Sequence, residues 1–273
     1  MTQIAWALAV LVVSQGVARG LGDAADDSSS WATAGRFALT MAAGSAVSVV
    51  GFRYLCRRFR GRTPVELGRR GAAKEVGLSL GAGAAVMAAG FGVLGATGVY
   101  TPVDPGLCPG VLTGLAVGYG AAVIEEVFFR GVLLHVLVSW SNPAVGVVVV
   151  GLLFGGLHAT SPDVGWWGAV GIVLSTWVLN LLYVATGRLW APIGFHAAWN
   201  FCLGGVFGSD VSGNGTGRGL FRAQWTGDAL WTGGATGAEG SVVLMALGCL
   251  AGLAALLWSL RRGTFRRGSL TLP

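Results

Sequence analysis

Long apolar segments dominate this chain and favour a bundle of membrane helices over any soluble fold. Hydrophobic residues make up 53% of the sequence, charged residues only 11%, and the mean hydropathy is +0.68. A helix of about 20 apolar residues spans a bilayer because it satisfies its own backbone hydrogen bonds. About eight such windows are present. They lie near residues 3–19, 34–53, 76–99, 110–138, 143–159, 165–185, 189–208 and 240–260. We therefore predict an all-α, polytopic transmembrane bundle that forms a single integral membrane domain over residues 1–273.

Two basic clusters predict the orientation of this bundle. Of the 18 Lys and Arg residues, two-thirds fall in the second connection and the C-terminal tail. They are Arg53, Arg57, Arg58, Arg60, Arg62, Arg69, Arg70 and Lys74, then Arg261, Arg262, Arg266 and Arg267. With eight spans both clusters lie on one side, which the positive-inside rule makes cytoplasmic together with both termini. Acidic residues then lie on the other side: Asp23, Asp26, Asp27, Asp104, Asp163, Asp210, Asp228 and Glu239. Anionic lipid headgroups are a sufficient partner for the basic connection, and nucleic acid is not expected.

The first apolar segment is short and could be read as a signal peptide instead of a helix of the bundle. It has no basic region before its apolar stretch, and no clear small-residue cleavage site follows it. We therefore favour a retained helix. The fourth window is long enough to be bent or broken around the charges that it contains.

Those charges, Glu125, Glu126 and Arg130, lie in one of the most apolar stretches of the sequence. Each charge at membrane depth costs about 2.5–3.5 kcal/mol, so such a cluster is kept for pairing, for a wet cavity or for chemistry. Glu126 and Arg130 are four positions apart in the favourable order for an ion pair. Adjacent side chains point about 100° apart, so the two glutamates are not expected to face the same partner. Glu125 is then free for general-base work, although a purely structural network remains open.

The histidines extend the pattern to two further helices. The chain has three, His135, His158 and His196. His158 follows Phe154 by four positions and His196 precedes Asn200 by four, so each pair shares a helix face. His135 lies near the predicted cytoplasmic end of its window and is the weakest candidate.

This set of side chains predicts hydrolysis by water, because no Ser, Thr or Cys at membrane depth has an adjacent base. Glu125, with His158, could take a proton from water, and His196 and Asn200 could donate hydrogen bonds to an oxyanion. Glu125, His158 and His196 could instead bind a divalent metal such as zinc. The sequence leaves both versions open. The widely spaced cysteines predict neither a disulfide nor a zinc knuckle; they are Cys56, Cys108, Cys202 and Cys249.

The three motifs, E-E-x-x-x-R, F-x-x-x-H and H-x-x-x-N, occur in this order on successive apolar windows. This pattern resembles the CAAX prenyl endopeptidase family, also called the CPBP or ABI family of intramembrane proteases, over about residues 110–205. The resemblance implies a catalytic core in that range, with Glu125 and His158 activating water and His196 and Asn200 stabilising the oxyanion. It implies a supporting role for Glu126 and Arg130, and no metal cofactor.

The substrate is expected to be a membrane protein or peptide. Eukaryotic members of the family cleave prenylated proteins, but the excess of Arg over Lys here, 17 to 1, indicates a GC-rich prokaryotic genome and a prokaryotic cell membrane. Protein prenylation is not expected there. Two other functions stay open: a non-catalytic binding or bacteriocin-immunity protein of the same family, and a transporter that uses Glu125 and the histidines as a proton relay.

Overall fold

The computed structural model describes residues 2–20, 30–215 and 218–265 of the chain. Its helices are α1 (Thr2–Gly20), α2 (Trp31–Arg60), α3 (Ala72–Ala96), α4 (Pro109–Glu126), α5 (His135–Trp140), α6 (Pro143–His158), α7 (Gly165–Thr186), α8 (Trp190–Asn200), α9 (Ala229–Thr232) and α10 (Val242–Arg261). Two π-helical segments, Val127–Leu134 and Phe201–Val206, follow α4 and α8 directly. Short 3₁₀ turns cover Val65–Leu67, Gly234–Thr236 and Ala238–Gly240. Two strands, β1 (Tyr100–Val103) and β2 (Arg222–Trp225), complete the described part.

The predicted helical bundle is confirmed, because each of the eight apolar windows coincides with helix. Within the described residues, α2, α3, α7 and α10 are long and apolar enough to cross a membrane, and α1 and α6 contain shorter apolar helices. The protein is thus an integral membrane protein of the helical type. The hydropathy windows missed the short helix α9, the 3₁₀ turns of the connections and the small antiparallel sheet, in which Tyr100 pairs with Trp225 and Val103 with Arg222.

The end of α2 differs from the prediction. Arg53, Arg57, Arg58 and Arg60 were assigned to the connection, but they form the last turns of the helix, which ends at Gly61 in a left-handed conformation. A helix predicted from hydropathy ends at the first charged residue. Arginines can nevertheless form the last turns of a membrane helix, because their long side chains let the guanidinium groups reach the interface. Of the charges used to predict orientation, Asp23, Asp26, Asp27, Arg266 and Arg267 lie outside the described residues.

The helices alternate between two ends of the bundle. At one end, here called the basic end, the connection after α2 meets the connection before α8: Arg188 donates to Arg70 O over 2.8 Å, and the Trp190 indole donates to Gly68 O over 2.8 Å. At the other, here called the loop end, the chain after the second π segment packs on the α6–α7 connection, where Thr236 donates to Val164 O over 3.0 Å. Which end faces the cytoplasm remains a prediction.

The fourth window is neither broken nor a regular α-helix. Helix α4 ends at Glu126, and the chain continues without interruption through the π segment into α5. A π turn inserts an extra residue per turn, so it rotates the side chains that follow it. The π segment begins directly after the glutamate pair, around which the sequence predicted a bend or break. Arg130 lies within the π segment.

Close packing of α4 against α8 brings two of the three motifs together. Gly118 of α4 faces the backbone of α8, and a Cβ added there would lie 2.9 Å from Ala197 O. Gly83 of α3 approaches α8 from another side, where a Cβ would lie 2.8 Å from Phe195 O. Small residues permit such close helix contacts in membranes. Helix α8 is therefore held between α3 and α4, at the depth of the glutamate pair.

Candidate active site

Arg130 is the centre of a fully buried polar network. Its side chain and that of Glu126 are both 0% exposed, and NH1 lies 2.7 Å from Glu126 Oε1. The ion pair expected from their spacing is therefore present. Two side chains of α7 complete the guanidinium's shell: NH2 donates to Thr176 Oγ1 over 2.6 Å, and Nε donates to Asn180 Oδ1 over 2.9 Å. A buried charge needs partners of this kind to offset its desolvation.

Phe154 connects this network to the second motif. Its ring centroid lies 5.0 Å from the guanidinium carbon of Arg130 and 4.6 Å from the imidazole centroid of His158. A cation over an aromatic face is stabilised by the ring quadrupole. The F-x-x-x-H spacing thus places one aromatic ring between the buried arginine and the histidine at the end of α6.

His196 lies between the two glutamates. Its Nδ1 is 2.8 Å from Glu126 Oε1, and its Nε2 is 3.9 Å from Glu125 Oε2. The expectation that adjacent glutamates would not face the same partner is wrong. An imidazole carries nitrogens on two edges, so side chains that diverge along α4 can still approach the same ring from different directions. The separation at Nε2 is an ion-pair distance, longer than a hydrogen bond.

His158 has a defined tautomer in this arrangement. Its Nδ1 is 2.8 Å from the backbone oxygen of Phe154. A carbonyl oxygen only accepts, so Nδ1 carries the proton, and Nε2 of the neutral ring is left as a base. His158 is half-buried at the last residue of α6, close to the loop end.

A small cavity of about 30 Å³ lies beside His196 and Asn200. That volume is enough for a water molecule, since about 10–15 Å³ suffices for one. Its lining residues are Phe154, Ile172, Ser175, Thr176, Leu179, Phe195, His196, Trp199, Asn200 and Glu239. Glu125 and His158 are not part of this lining. Glu125 instead reaches the site through His196, and His158 through Phe154.

The metal alternative predicted from the sequence would need Glu125, His158 and His196 to meet around one ion. Within the described part of the chain, no three His, Cys, Asp or Glu side chains come together as a set of ligands. Glu125, His158 and His196 are therefore not arranged as the first shell of one ion. His135 lies outside the site, in a cleft at the basic end that Arg60 and Ser139 also line.

Three residues of this region were missed from the sequence. Thr176 and Asn180 are four positions apart on the apolar helix α7, a signal that could have identified them as partners of a buried charge. Glu239 was assigned to the side of the membrane opposite the basic clusters, but its side chain is only 4% exposed and lines the cavity. No local pattern marks Glu239, because the fold of the long connection before α10 decides where it lies.

The site thus consists of a histidine between two carboxylates, beside a water-sized cavity inside a helical membrane bundle. Residues 108–202 match the family model of type II CAAX prenyl endopeptidase Rce1-like proteins. The matched segment contains all three motifs, so the resemblance found from the sequence is confirmed there. At the level of that family, the match indicates an intramembrane peptidase that acts on peptide substrates. Comparison with curated proteins and with solved structures gave no match.

Proposed function

We propose that this protein is an intramembrane endopeptidase in which water, activated by Glu125 and His158, attacks a peptide carbonyl. The observation that carries the proposal is the position of His196, which contacts both glutamates and shares a water-sized cavity with Asn200. Water, a base, oxyanion donors and a buried supporting charge are the elements that amide hydrolysis needs without a covalent intermediate.

In this mechanism Glu125 accepts a proton from water while the water oxygen bonds to the carbonyl carbon. The Nε2 atom of His158, which is free in the tautomer described, is the second base that can hold this proton. The carbonyl electron pair moves to oxygen, and Asn200 donates a hydrogen bond to the resulting oxyanion. One such donor contributes about 10²–10³-fold in rate.

His196 can assist only in a particular protonation state. Its Nδ1–H is donated to Glu126, so Nε2 donates to the oxyanion only when the ring carries both protons. Glu126 is itself oriented by Arg130, which is in turn held by α7. We therefore assign Glu126 and Arg130 to positioning His196.

The depth of the cavity bears on where cleavage occurs. The cavity contains Glu239 from the connection at the loop end, on the far side of the bundle from Arg60 and Arg188. With the basic end cytoplasmic, as the positive-inside rule predicts, the scissile bond lies in the outer half of the membrane. The substrate is then a membrane peptide or protein. The exposed Arg57 and Arg58 at the basic end would meet anionic headgroups.

The proposal is tested with quenched fluorescent peptides, one prenylated and several unprenylated membrane segments, and purified protein in detergent. We expect cleavage by the wild type, loss of cleavage in Glu125→Gln, and retained cleavage in His135→Ala, a histidine variant outside the site. Normal cleavage by a correctly folded Glu125→Gln would exclude the mechanism. A parallel reaction with a chelator and then added zinc separates the metal-free version from the metal-dependent one.

The small size of the cavity favours a second function, in which the same residues recognise a ligand without hydrolysing it. A volume of about 30 Å³ admits water but no peptide segment. If the protein is a non-catalytic immunity or binding protein, the Glu125→Gln variant should still bind its partner, since an amide oxygen can replace a carboxylate oxygen as hydrogen-bond acceptor. Wild-type protein that binds a membrane peptide but never cleaves it would support this alternative.

A further inference from the structure

Glu239 is a buried carboxyl group that the three motifs do not include. It belongs to the 3₁₀ turn Ala238–Gly240 and lines the cavity together with His196 and Asn200. The Trp199 indole donates to its Oε2 over 3.3 Å, whereas its Oε1 is fully buried and makes no hydrogen bond. A buried polar atom without a partner is rare in folded proteins and needs an explanation.

The turn that carries Glu239 is fixed on both sides. Helix α7 approaches it so closely at Gly171 that a Cβ there would lie 2.6 Å from the backbone oxygen of Glu239. The Trp167 indole of α7 donates to Gly240 O over 3.0 Å, and the backbone N–H of the first turn residue donates to Ser209 Oγ over 2.9 Å. Packing and hydrogen bonds together therefore hold the Glu239 side chain in the cavity.

The surroundings of Glu239 favour the neutral acid. Burial raises its pKa, and within the described residues no Lys or Arg forms an ion pair with it. The titratable groups that face it are His158 from α6, which partly opposes this shift, and His196 from α8, which lines the same cavity. Ser212 also lies near the carboxyl group and favours the charged form to a smaller extent than burial opposes it. A neutral acid has an O–H to donate, and Oε1 is the free position for it.

We propose that Glu239 is a second catalytic carboxyl group, which donates a proton to the nitrogen of the departing amine. This inference rests on the proposed function. Glu239, His196 and Asn200 line one cavity that holds one or two water molecules, so a substrate carbonyl that displaces this water meets all three side chains. Amines are poor leaving groups unless the nitrogen is protonated as the C–N bond breaks, which is a task for a general acid.

The step is balanced in atoms and protons. Water loses a proton to Glu125, and its oxygen bonds to the carbonyl carbon. The oxyanion electrons then re-form the C=O bond, the C–N bond breaks with its electron pair on nitrogen, and that nitrogen takes the proton from Glu239. The proton held by Glu125 passes by way of His196, whose Nε2 lies 3.9 Å from Glu125, to the cavity water and then to Glu239, which restores both groups. The sum is one water consumed for one peptide bond.

The test compares two substrates that differ only in the leaving group, a peptide and the corresponding ester, in which an oxygen replaces the scissile nitrogen. An alkoxide leaves with less need of a proton donor. In Glu239→Gln we expect peptide cleavage to fall about 100-fold or more, the lower range of general-acid contributions, and ester cleavage to change by less than about 5-fold. An equal loss on both substrates, or no loss on either, would overturn the proposal.

Two further variants separate this inference from the proposed function. Asp228→Asn changes another acid of the same connection, an exposed helix N-cap that Asn fills equally well, and should cleave both substrates normally. Glu125→Gln should lose both substrates, because both need activated water. If Glu125→Gln is inactive while Glu239→Gln cleaves the peptide normally, the proposed function stands and the role of Glu239 is refuted.

A measurement without substrate checks the protonation state of Glu239 directly. The infrared difference spectrum between wild type and Glu239→Gln at neutral pH should contain the C=O band of a protonated carboxyl group, shifted in heavy water. If the wild type instead contributes only carboxylate bands, Glu239 is ionised and cannot be the acid. This readout also applies to a Glu239→Gln variant that folds but has lost all activity.

Discussion

His196 Nδ1 lies 2.8 Å from Glu126 Oε1, the same oxygen that Arg130 contacts at 2.7 Å. One carboxylate oxygen therefore accepts from a histidine of α8 and from an arginine of the π segment. The three residues come from two parts of the chain that are separated by about 70 positions. This shared oxygen fixes the position of the imidazole relative to the catalytic candidates Glu125 and Asn200.

Loss of the charge on Glu126 should reduce both stability and activity. In Glu126→Gln, Arg130 keeps its α7 partners but becomes a buried charge without a counter-ion, which costs about 3–5 kcal/mol in comparable cases. The free energy of unfolding, measured in detergent with denaturant, should fall by that amount. Glu75→Gln is the matched control: Glu75 pairs with Arg188 at 3.0 Å in a partly exposed pair, so its loss should change stability by less than about 1 kcal/mol. Equal effects of the two variants would contradict this view of the network.

Substitution of Phe154 should reduce peptide cleavage by more than the loss of a buried aromatic side chain elsewhere in the protein does. The variant Phe154→Leu removes the ring between Arg130 and His158 and should lower peptide cleavage about 10-fold or more, through a mispositioned imidazole. Phe52→Leu is a suitable comparison, because Phe52 is also buried and its ring lies 5.8 Å from the Arg60 guanidinium at the basic end. Both variants should lose about 1–3 kcal/mol of stability. Only Phe154→Leu should slow cleavage, and a similar slowing in Phe52→Leu would refute the specific role.

The contact between α4 and α8 should be sensitive to one methyl group. In Gly118→Ala the new Cβ would lie 2.9 Å from Ala197 O, so α4 must move away from α8 and carry Glu125 away from His196. We expect a loss of about 1–3 kcal/mol of stability and at least a 10-fold loss of cleavage. Gly92→Ala on α3 meets no atom within 4 Å and should be neutral or slightly stabilising. Thermal unfolding and cleavage of both variants check this. Full activity in Gly118→Ala would show that α4 tolerates the shift.

Local relationships in this site could be predicted, whereas distant ones could not. Helix geometry fixes the distance between residues four positions apart, and so Glu126 and Arg130 could be paired from the sequence alone. The contact of Glu126 with His196, and of Arg130 with Thr176, depends on which helices are neighbours. Hydropathy does not reveal which helices are neighbours, because the apolar surface of one helix can pack against that of any other.

The π segment and the buried position of Glu239 are two further features that the sequence did not predict. A regular α-helix through the fourth window would direct the residues after the π segment to other faces than those they occupy. Nothing in the apolar sequence of that segment identifies a π turn. Glu239 is a similar case, since hydropathy placed it in a polar connection and only the packing of that connection on α7 buries it.

The buried carboxylate of Glu66 should make the basic end sensitive to acid. Burial by itself raises the pKa of Glu66, but hydrogen bonds from Arg62, at 2.6 and 2.9 Å, and the charge of Arg60 outweigh it, so the net pKa lies below the ordinary value of 4.5. A pKa lowered by folding means that the stability Glu66 provides is complete above about pH 4.5 and is lost as the pH falls through the folded-state value.

The melting temperature of the wild type, followed in detergent, should therefore decline below that pH. In Glu66→Gln it should already be lower at neutral pH and should change less on acidification, because the group that titrates is gone. The exposed pair of Asp104 with Arg222 at the loop end provides the control, since Asp104→Asn should leave the acid-induced decline intact. If Glu66→Gln and the wild type decline in parallel, the acid sensitivity belongs to other carboxylates, and the ion cluster at the basic end is not what stabilises the connection between α2 and α3.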